Sequence, residues 1–226
     1  NYETEYVRYR MQSATDIHFI RADGMNISNV LSFGAFRGIY TQPGYESKNV
    51  SFRAVNLNIE SMVPIRFHAN GMYEITNSYF LMVNFANLNT NKYSRCVEIF
   101  SDSNCPHQSV YLFSNCFFQN SIPCSIRENA GKVDNVDDTV IEINFTASHH
   151  ASFSNCMFWG WGAFKEKTPI ISYSHTIGGI PTCNFSDCTF NSESFQGVLA
   201  KTSGDKCESG ELSFTNTRFP YSVEIS

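Results

Sequence analysis

The amino-acid sequence predicts an all-β solenoid, a parallel β-helix of about seven to eight rungs, and three observations carry that prediction. A short phrase recurs along the chain, clearest in Phe113-Ser114-Asn115-Cys116-Phe117-Phe118 and Phe153-Ser154-Asn155-Cys156-Met157-Phe158. Strand-like segments recur in phase with it, and the stretches between are polar and variable in length. Self-similarity at a period of about 20–50 residues means stacked units, each covering the apolar face of its neighbour.

Taken in order, residues 1–14 read as an N-terminal edge segment and 15–226 as the rungs of a single domain. Tyr6-Val7-Arg8-Tyr9-Arg10-Met11 alternates like a strand, with no Pro or Gly to stop pairing. Copies of the phrase begin at Ile27, Phe52, Ile75, Phe113, Phe153, Phe185 and Phe214, so their starts lie 25, 23, 38, 40, 32 and 29 residues apart. Each clear copy holds two bulky residues five apart. A flat strand keeps i, i+2 and i+4 on one face, so a spacing of five requires a bend between them. Asn suits that bend, because it tolerates the left-handed region and its amide bonds to nearby backbone. Stacking then aligns Asn29, Asn77, Asn115, Asn155, Asp187 and Asn216 in one ladder, and Phe80, Phe118, Phe158, Phe190 and Phe219 in an internal one.

Thirteen residues after a copy begins come Tyr40, Ile65, Ile126 and Val198, each in a strand-like segment. Val97-Glu98-Ile99-Phe100 arrives later, which implies a loop insertion. A third series includes Ile17-His18-Phe19-Ile20 and Val140-Ile141-Glu142-Ile143. Three strands per turn follow. An antiparallel sandwich also has many short strands, but it gives no reason for one bend phrase to return in phase.

The phrase resembles the rungs of right-handed parallel β-helix proteins. In particular, it is similar to the Asn/Ser/Phe-rich polymorphic-type surface proteins of trichomonad-like protists and to bacterial polymorphic outer-membrane proteins. The resemblance covers residues 15–226 and lies in rung composition. It implies a right-handed β-helix that is secreted or displayed at a cell surface, and it implies no particular activity.

A net charge of −5 with only 16 Lys and Arg argues against a nucleic-acid footprint or a polybasic membrane patch. No apolar run reaches the roughly 18 residues that span a bilayer. The chain starts at Asn1 and reads as a processed protein or a piece of a longer one. Four N-x-S/T sequons, at Asn26, Asn49, Asn144 and Asn184, and an even count of eight Cys favour an extracellular or cell-surface location with glycosylation at those asparagines. Cys116, Cys156 and Cys188 share one slot of successive copies, while Cys96, Cys105, Cys124, Cys183 and Cys207 lie elsewhere. The pairing expected is Cys96–Cys105, Cys116–Cys124, Cys156–Cys188 and Cys183–Cys207, among 105 possible connectivities. A buried column of free thiols at the three slot positions is the alternative.

Candidate chemistry is sparse. Glu98, Asp102, Glu142 and Glu224 are the outward carboxylates, but they share no slot that would pair two of them about 5–9.5 Å apart for glycoside cleavage. Asp134, Asp137 and Asp138 read as an acidic turn, not as a Ca²⁺ loop. His149 and His150 with His175 read as surface histidines, and no metal or cofactor is expected. Trp159-Gly160-Trp161 is the best ligand candidate, since exposed Trp159 and Trp161 rings stack on sugars or anchor protein interfaces. The expectation is a non-enzymatic scaffold for display, adhesion or filament assembly. A carbohydrate-active enzyme with a groove across the rungs is the alternative. Its partners would be copies of itself or like domains end to end, because neither terminus shows a cap, and glycans or cell-surface proteins.

Overall fold

Asparagine shapes the rungs. At every copy of the phrase one residue takes a left-handed backbone: Asn29 (φ 57°), Asn56 (56°), Asn77 (50°), Asn115 (53°), Asn155 (50°), Asp187 (54°) and Asn216 (46°). Asn and Asp occupy that region at lower cost than other residues bearing a Cβ. The computed structural model describes residues 2–42, 50–83, 95–101, 108–121, 140–145, 149–159, 171–175, 180–191, 198–204, 211–219 and 224–225, and in it these turns stack on one another.

A helix, α1 (Tyr2–Ser13), precedes β1 (Thr15–Phe19). The next two rungs are β2 (Ala22–Ser28) with β3 (Leu31–Thr41), and β4 (Val50–Val55) with β5 (Asn58–Phe67). Three-stranded rungs follow: β6 (Met72–Thr76), β7 (Tyr79–Val83) and β8 (Val97–Phe100), then β9 (Val110–Ser114), β10 (Phe117–Ser121) and β11 (Ile141–Phe145). After these come β12 (His150–Ser154), β13 (Met157–Trp159) and β14 (Ile171–His175), then β15 (Thr182–Ser186), β16 (Thr189–Asn191) and β17 (Val198–Gly204). The last rung is β18 (Glu211–Thr215), a bridge from Arg218 to Thr189, and β19 (Glu224–Ile225).

Each strand pairs in parallel with its counterpart one rung away. The leading strands form a first wall in the order β18-β15-β12-β9-β6-β4-β2. The other strands form a second and a third wall, joined in one sheet because β3 and β5 run unbroken through the corner. Thus β5 pairs with β7 over Asn58–Ser61 and with β8 over Ile65–Phe67. This is a parallel β-helix.

Inward residues stack by type. Phe113, Phe153, Phe185 and Phe214 form one column with centroids 4.7, 4.8 and 5.2 Å apart. Phe80, Phe118, Phe158, Phe190 and Phe219 form a second, at 5.4, 5.0, 4.5 and 5.5 Å. The columns meet edge to face, as Phe153 does Phe158 at 5.9 Å and 63°, an arrangement the ring quadrupole favours. The corner between the third and first walls is tight. A Cβ on Gly71 would lie 1.8 Å from the Val50 carbonyl oxygen, so a side chain there would push the rungs apart.

Three expectations from the sequence need correcting. The second copy starts at Ala54, not Phe52: Ala54 pairs with Ile75 and its turn residue is Asn56, so Phe52 belongs to the Tyr73 column. The described members of the two trailing series are one wall, since the segments of Val97 and Ile141 pair directly with each other and Val97 pairs with Ile65, while Ile126 lies outside the described residues. The missing wall is the second half of the phrase itself, after the Asn turn. Finally, Tyr6–Met11 is helical, part of α1. Its Glu, Arg, Met and Gln are good helix formers, Ser13 Oγ donates to the Tyr9 carbonyl at 2.9 Å, and Met11 is buried beside Phe36, Met62, Val63 and Val83 outside the main core.

The disulfide expectation is also overturned at the described cysteines. Cys96, Cys116, Cys156, Cys183 and Cys188 are free, buried thiols, so Cys156–Cys188 is not formed, and Cys96, Cys116 and Cys183 lack a disulfide as well. Their expected partners Cys105, Cys124 and Cys207 lie outside the described residues. Stacked residues project in parallel at the strand spacing of about 4.8 Å, whereas a disulfide brings its Cβ atoms to about 3.5–4.5 Å. The slot instead needs a small donor. Cys116, Cys156 and Cys188 Sγ each donate to the carbonyl two residues back at 3.4 Å, as Ser78 Oγ does at 2.8 Å and Thr217 Oγ1 at 3.2 Å. Cys156, between the thiols of Cys116 and Cys188, has its ionisation pushed far up by those contacts and by burial. Burial does the same to Cys96 and Cys183.

Candidate functional site

The variable position of the phrase, directly after the slot residue, begins the second wall and faces out. In register there lie Leu31, Asn58, Tyr79, Phe117, Met157 and Thr189. Two residues on, a parallel outward row carries Phe33, Glu60, Leu81, Gln119, Trp159 and Asn191. Large apolar side chains dominate a solvent-facing surface. Leu31 is 72% exposed, Phe33 60%, Trp159 42% and Met157 40%. The Phe117 ring lies 5.4 Å from Tyr79 and 6.1 Å from Trp159. Tyr79 donates its hydroxyl to Gln119 Oε1 at 2.7 Å, fixing the ring across the rung spacing. Exposed aromatic area of this kind, edged with amides and hydroxyls, suits a ligand with flat apolar faces and a polar rim.

Trp159 therefore sits on this stripe, and Trp161 lies outside the described residues. Sequence reasoning overlooked Tyr79, Phe117, Leu31 and Phe33. The signal was available, because the variable slot of the phrase holds Leu, Tyr, Phe and Met where a polar outer surface would hold Ser or Thr.

The third wall carries charge. His18, Tyr40, Arg66, Glu98, Glu142 and Ser172 occupy one outward row. Glu98 and Glu142 are thus aligned on adjacent rungs, contrary to the expectation that no carboxylates share a slot. Both are spoken for by cations. Glu98 is fully buried, with Oε1 accepting from Arg66 Nε at 2.7 Å and lying 2.5 Å from His68 Nε2. Glu142 Oε2 accepts from Arg95 Nε at 2.7 Å. The row is also stacked: His18 lies 5.0 Å from Tyr40 at 17°, and Tyr40 carries the Arg37 and Arg66 guanidiniums at 5.0 and 5.8 Å. Burial and the neighbouring Arg66 charge lower the pKa of Arg37. Asp102 and the side chain of Glu224 fall outside the described residues.

The remaining candidates do not converge. His149 is buried at the third-to-first corner, its Nδ1 accepting the Ser109 N–H at 2.9 Å, and burial lowers its pKa to about 4. Its neighbour His150 points outward to Thr182 Oγ1 at 2.6 Å, and the His175 side chain is not among those described. Asp134, Asp137, Asp138 and Asn49 also lie outside the described residues. Of the other sequon asparagines, Asn26 is exposed on the first wall. Asn184 is half-buried there, accepting from Ser213 Oγ at 2.7 Å, and Asn144 is half-buried on the third wall. No helix among the described residues is long and apolar enough to cross a membrane. No protein-family model matches the chain, and neither a curated protein nor a solved structure matches it at a significant level.

Proposed function

We propose that the chain is a non-enzymatic scaffold for display and adhesion at a cell surface or outside the cell, with the aromatic stripe of the second wall as its contact surface. The observation that carries this reading is the stripe itself. Leu31, Phe33, Tyr79, Phe117, Met157 and Trp159 face solvent in two adjacent rows, while the aligned carboxylates of the third wall are neutralised by arginine. A row of rings spaced by the rung repeat suits glycans or a cell-surface protein laid along the axis. The similarity of the rungs to protist and bacterial surface proteins, together with the sequons, supports the location and glycosylation at Asn26, Asn49, Asn144 and Asn184. The cysteine count no longer bears on compartment, since five of the eight are buried thiols inside the coil.

Binding of the intact protein to immobilised polysaccharides and cell-surface glycoproteins tests the reading. Trp159→Ala with Phe117→Ala is expected to weaken capture by about tenfold or more, a loss of about 1.4 kcal/mol, with an unchanged circular dichroism spectrum. No capture by wild type, or equal capture by the double variant, would refute it.

The alignment of Glu98 with Glu142 favours a second reading, a carbohydrate-active enzyme with its groove across the third wall. Release of reducing ends from polysaccharides, abolished in both Glu98→Gln and Glu142→Gln, is the outcome that would establish it over the first.

A further inference from the structure

The outer face of the first wall is hollowed across β2, β4 and β6. Asn26, Arg53 and Glu74 lie in register there, and the next outward row on the turn side is Ser28, Val55 and Thr76. Between the two rows runs a hollow of about 420 Å³. That size falls in the range of about 300–1,000 Å³ in which small ligands are held. Both of its sides carry polar groups, and Val55, between the hydroxyls of Ser28 and Thr76, supplies an apolar patch.

The charges on one side are paired but not used up. Arg53 Nε lies 2.9 Å from Glu74 Oε2, with the two side chains 71% and 39% exposed, so the pair contributes little to stability. It engages one donor of a guanidinium that has five, and one oxygen of a carboxylate that has two. Across the hollow stands the Thr76 hydroxyl. Donors and acceptors are thus held together around an apolar patch. A pyranose ring matches that arrangement, because it carries hydroxyls round its rim and C–H groups on its faces.

The sequence supplies a sugar attachment point at the same hollow. Asn26 heads the sequon Asn26-Ile27-Ser28, is exposed, and stands one rung from Arg53 in the same row. Rungs repeat at about 4.8 Å, close to the length of one sugar unit. A chain laid along the row from the Asn26 amide therefore brings its first two sugars level with Arg53 and Glu74. Asn184 offers a contrast. It stands in the same outward row five rungs further on, but between the short side chains of Ser152 and Ser213. Its Oδ1 already accepts from Ser213 Oγ at 2.7 Å.

We propose that the N-linked glycan of Asn26 is seated on the first wall: its first two sugars lie along the hollow over Val55, hydrogen-bonded to Arg53, Glu74 and Thr76. The seat rests on the glycosylation put forward above and adds where that sugar lies. A glycan held in this way bridges β2, β4 and β6 from outside and becomes a fixed part of the wall. It runs beside the exposed turns of Asn29, Asn56 and Asn77. The aromatic stripe begins on the other side of those turns, so it stays clear for its own ligand.

Peptide mapping of the native glycoprotein first measures occupancy of Asn26. Occupied protein is then treated, without denaturant, with an amidase that cleaves N-glycans from asparagine. Wild type is compared with Arg53→Ala combined with Glu74→Ala, two outward side chains whose removal leaves the circular dichroism spectrum unchanged. Release from Asn26 is expected to be about tenfold or more faster in the double variant. In wild type, nuclear Overhauser contacts are expected from the Val55 and Thr76 methyls to sugar ring protons. An unoccupied Asn26 overturns the glycosylation reading at this site, and the seat with it. An occupied Asn26 that is released equally fast from both proteins, or that lacks those contacts, overturns the seat alone.

Discussion

The left-handed asparagines set what a single residue contributes. Asn155 has φ 50°, and its Nδ2 donates to Asn115 Oδ1 at 2.6 Å. Ala at that position keeps a Cβ in the unfavourable region at about 1–2 kcal/mol and also loses the amide bond. Gly loses the bond alone, a loss of about 0.5–1.5 kcal/mol. Asn155→Gly is therefore expected to be the milder change in urea denaturation, and equal losses would mean that backbone conformation does not govern the turn. His149 makes the other residue-scale prediction. Protonation would bury a cation, so the folded pKa falls to about 4, and a proton on Nδ1 would also break its bond from the Ser109 N–H. The unfolded imidazole takes up a proton near pH 6.5 while the folded one does not. Stability from this group is thus constant above about pH 6.5 and falls as pH drops toward 4, by about 1–2 kcal/mol at pH 5. Denaturation midpoints at pH 7.5 and 5 should diverge in wild type and less so in His149→Gln; a wild-type midpoint that is flat over this range contradicts the assignment.

At the scale of an element, the unit is a strand, a turn and a strand, held by two aromatic columns. Phe158 is fully buried, stacked on Phe118 at 5.0 Å and Phe190 at 4.5 Å, and it meets Phe153 and Phe185 edge-on. Phe158→Ala should cost about 3–5 kcal/mol. Ser154→Ala, on the outward side of the same copy, should cost under about 0.5 kcal/mol. Similar costs in the two variants would mean that Phe158 does not carry the core of its rung. This stack was legible in the sequence because Phe returns at a constant distance from the turn residue. The phase of the Ala54 copy was not, because there the slot holds Leu57 and the inward position holds a small Ala beside a more conspicuous Phe52. The second wall was hidden for a related reason. Its strands begin only two residues after the turn, inside the phrase, so the described members of the strand series downstream were read from the third wall. α1 was missed because its residues alternate and also suit a helix, and Met11 is settled only by a cluster made of distant rungs. The stripe was half legible, in Trp159. Its extent needs the register, which places Tyr79, Phe117 and Met157 side by side although they lie 38 and 40 residues apart in sequence.

On the scale of the whole molecule, each rung touches only the rungs before and after it, so stability is close to a sum of rung terms and neighbour terms. Opening an end breaks one interface, whereas opening a middle rung breaks two. Local opening should therefore cost least at β2 and β18, where Met25, Ile27, Leu212 and Phe214 are incompletely covered, and most around β9 and β12, whose Phe113 and Phe153 are sealed on both sides. Amide hydrogen exchange reads this directly as protection rising from both termini toward residues 110–114 and 150–154. Uniform protection along the chain would mean that the coil opens as one cooperative block and that the neighbour picture fails.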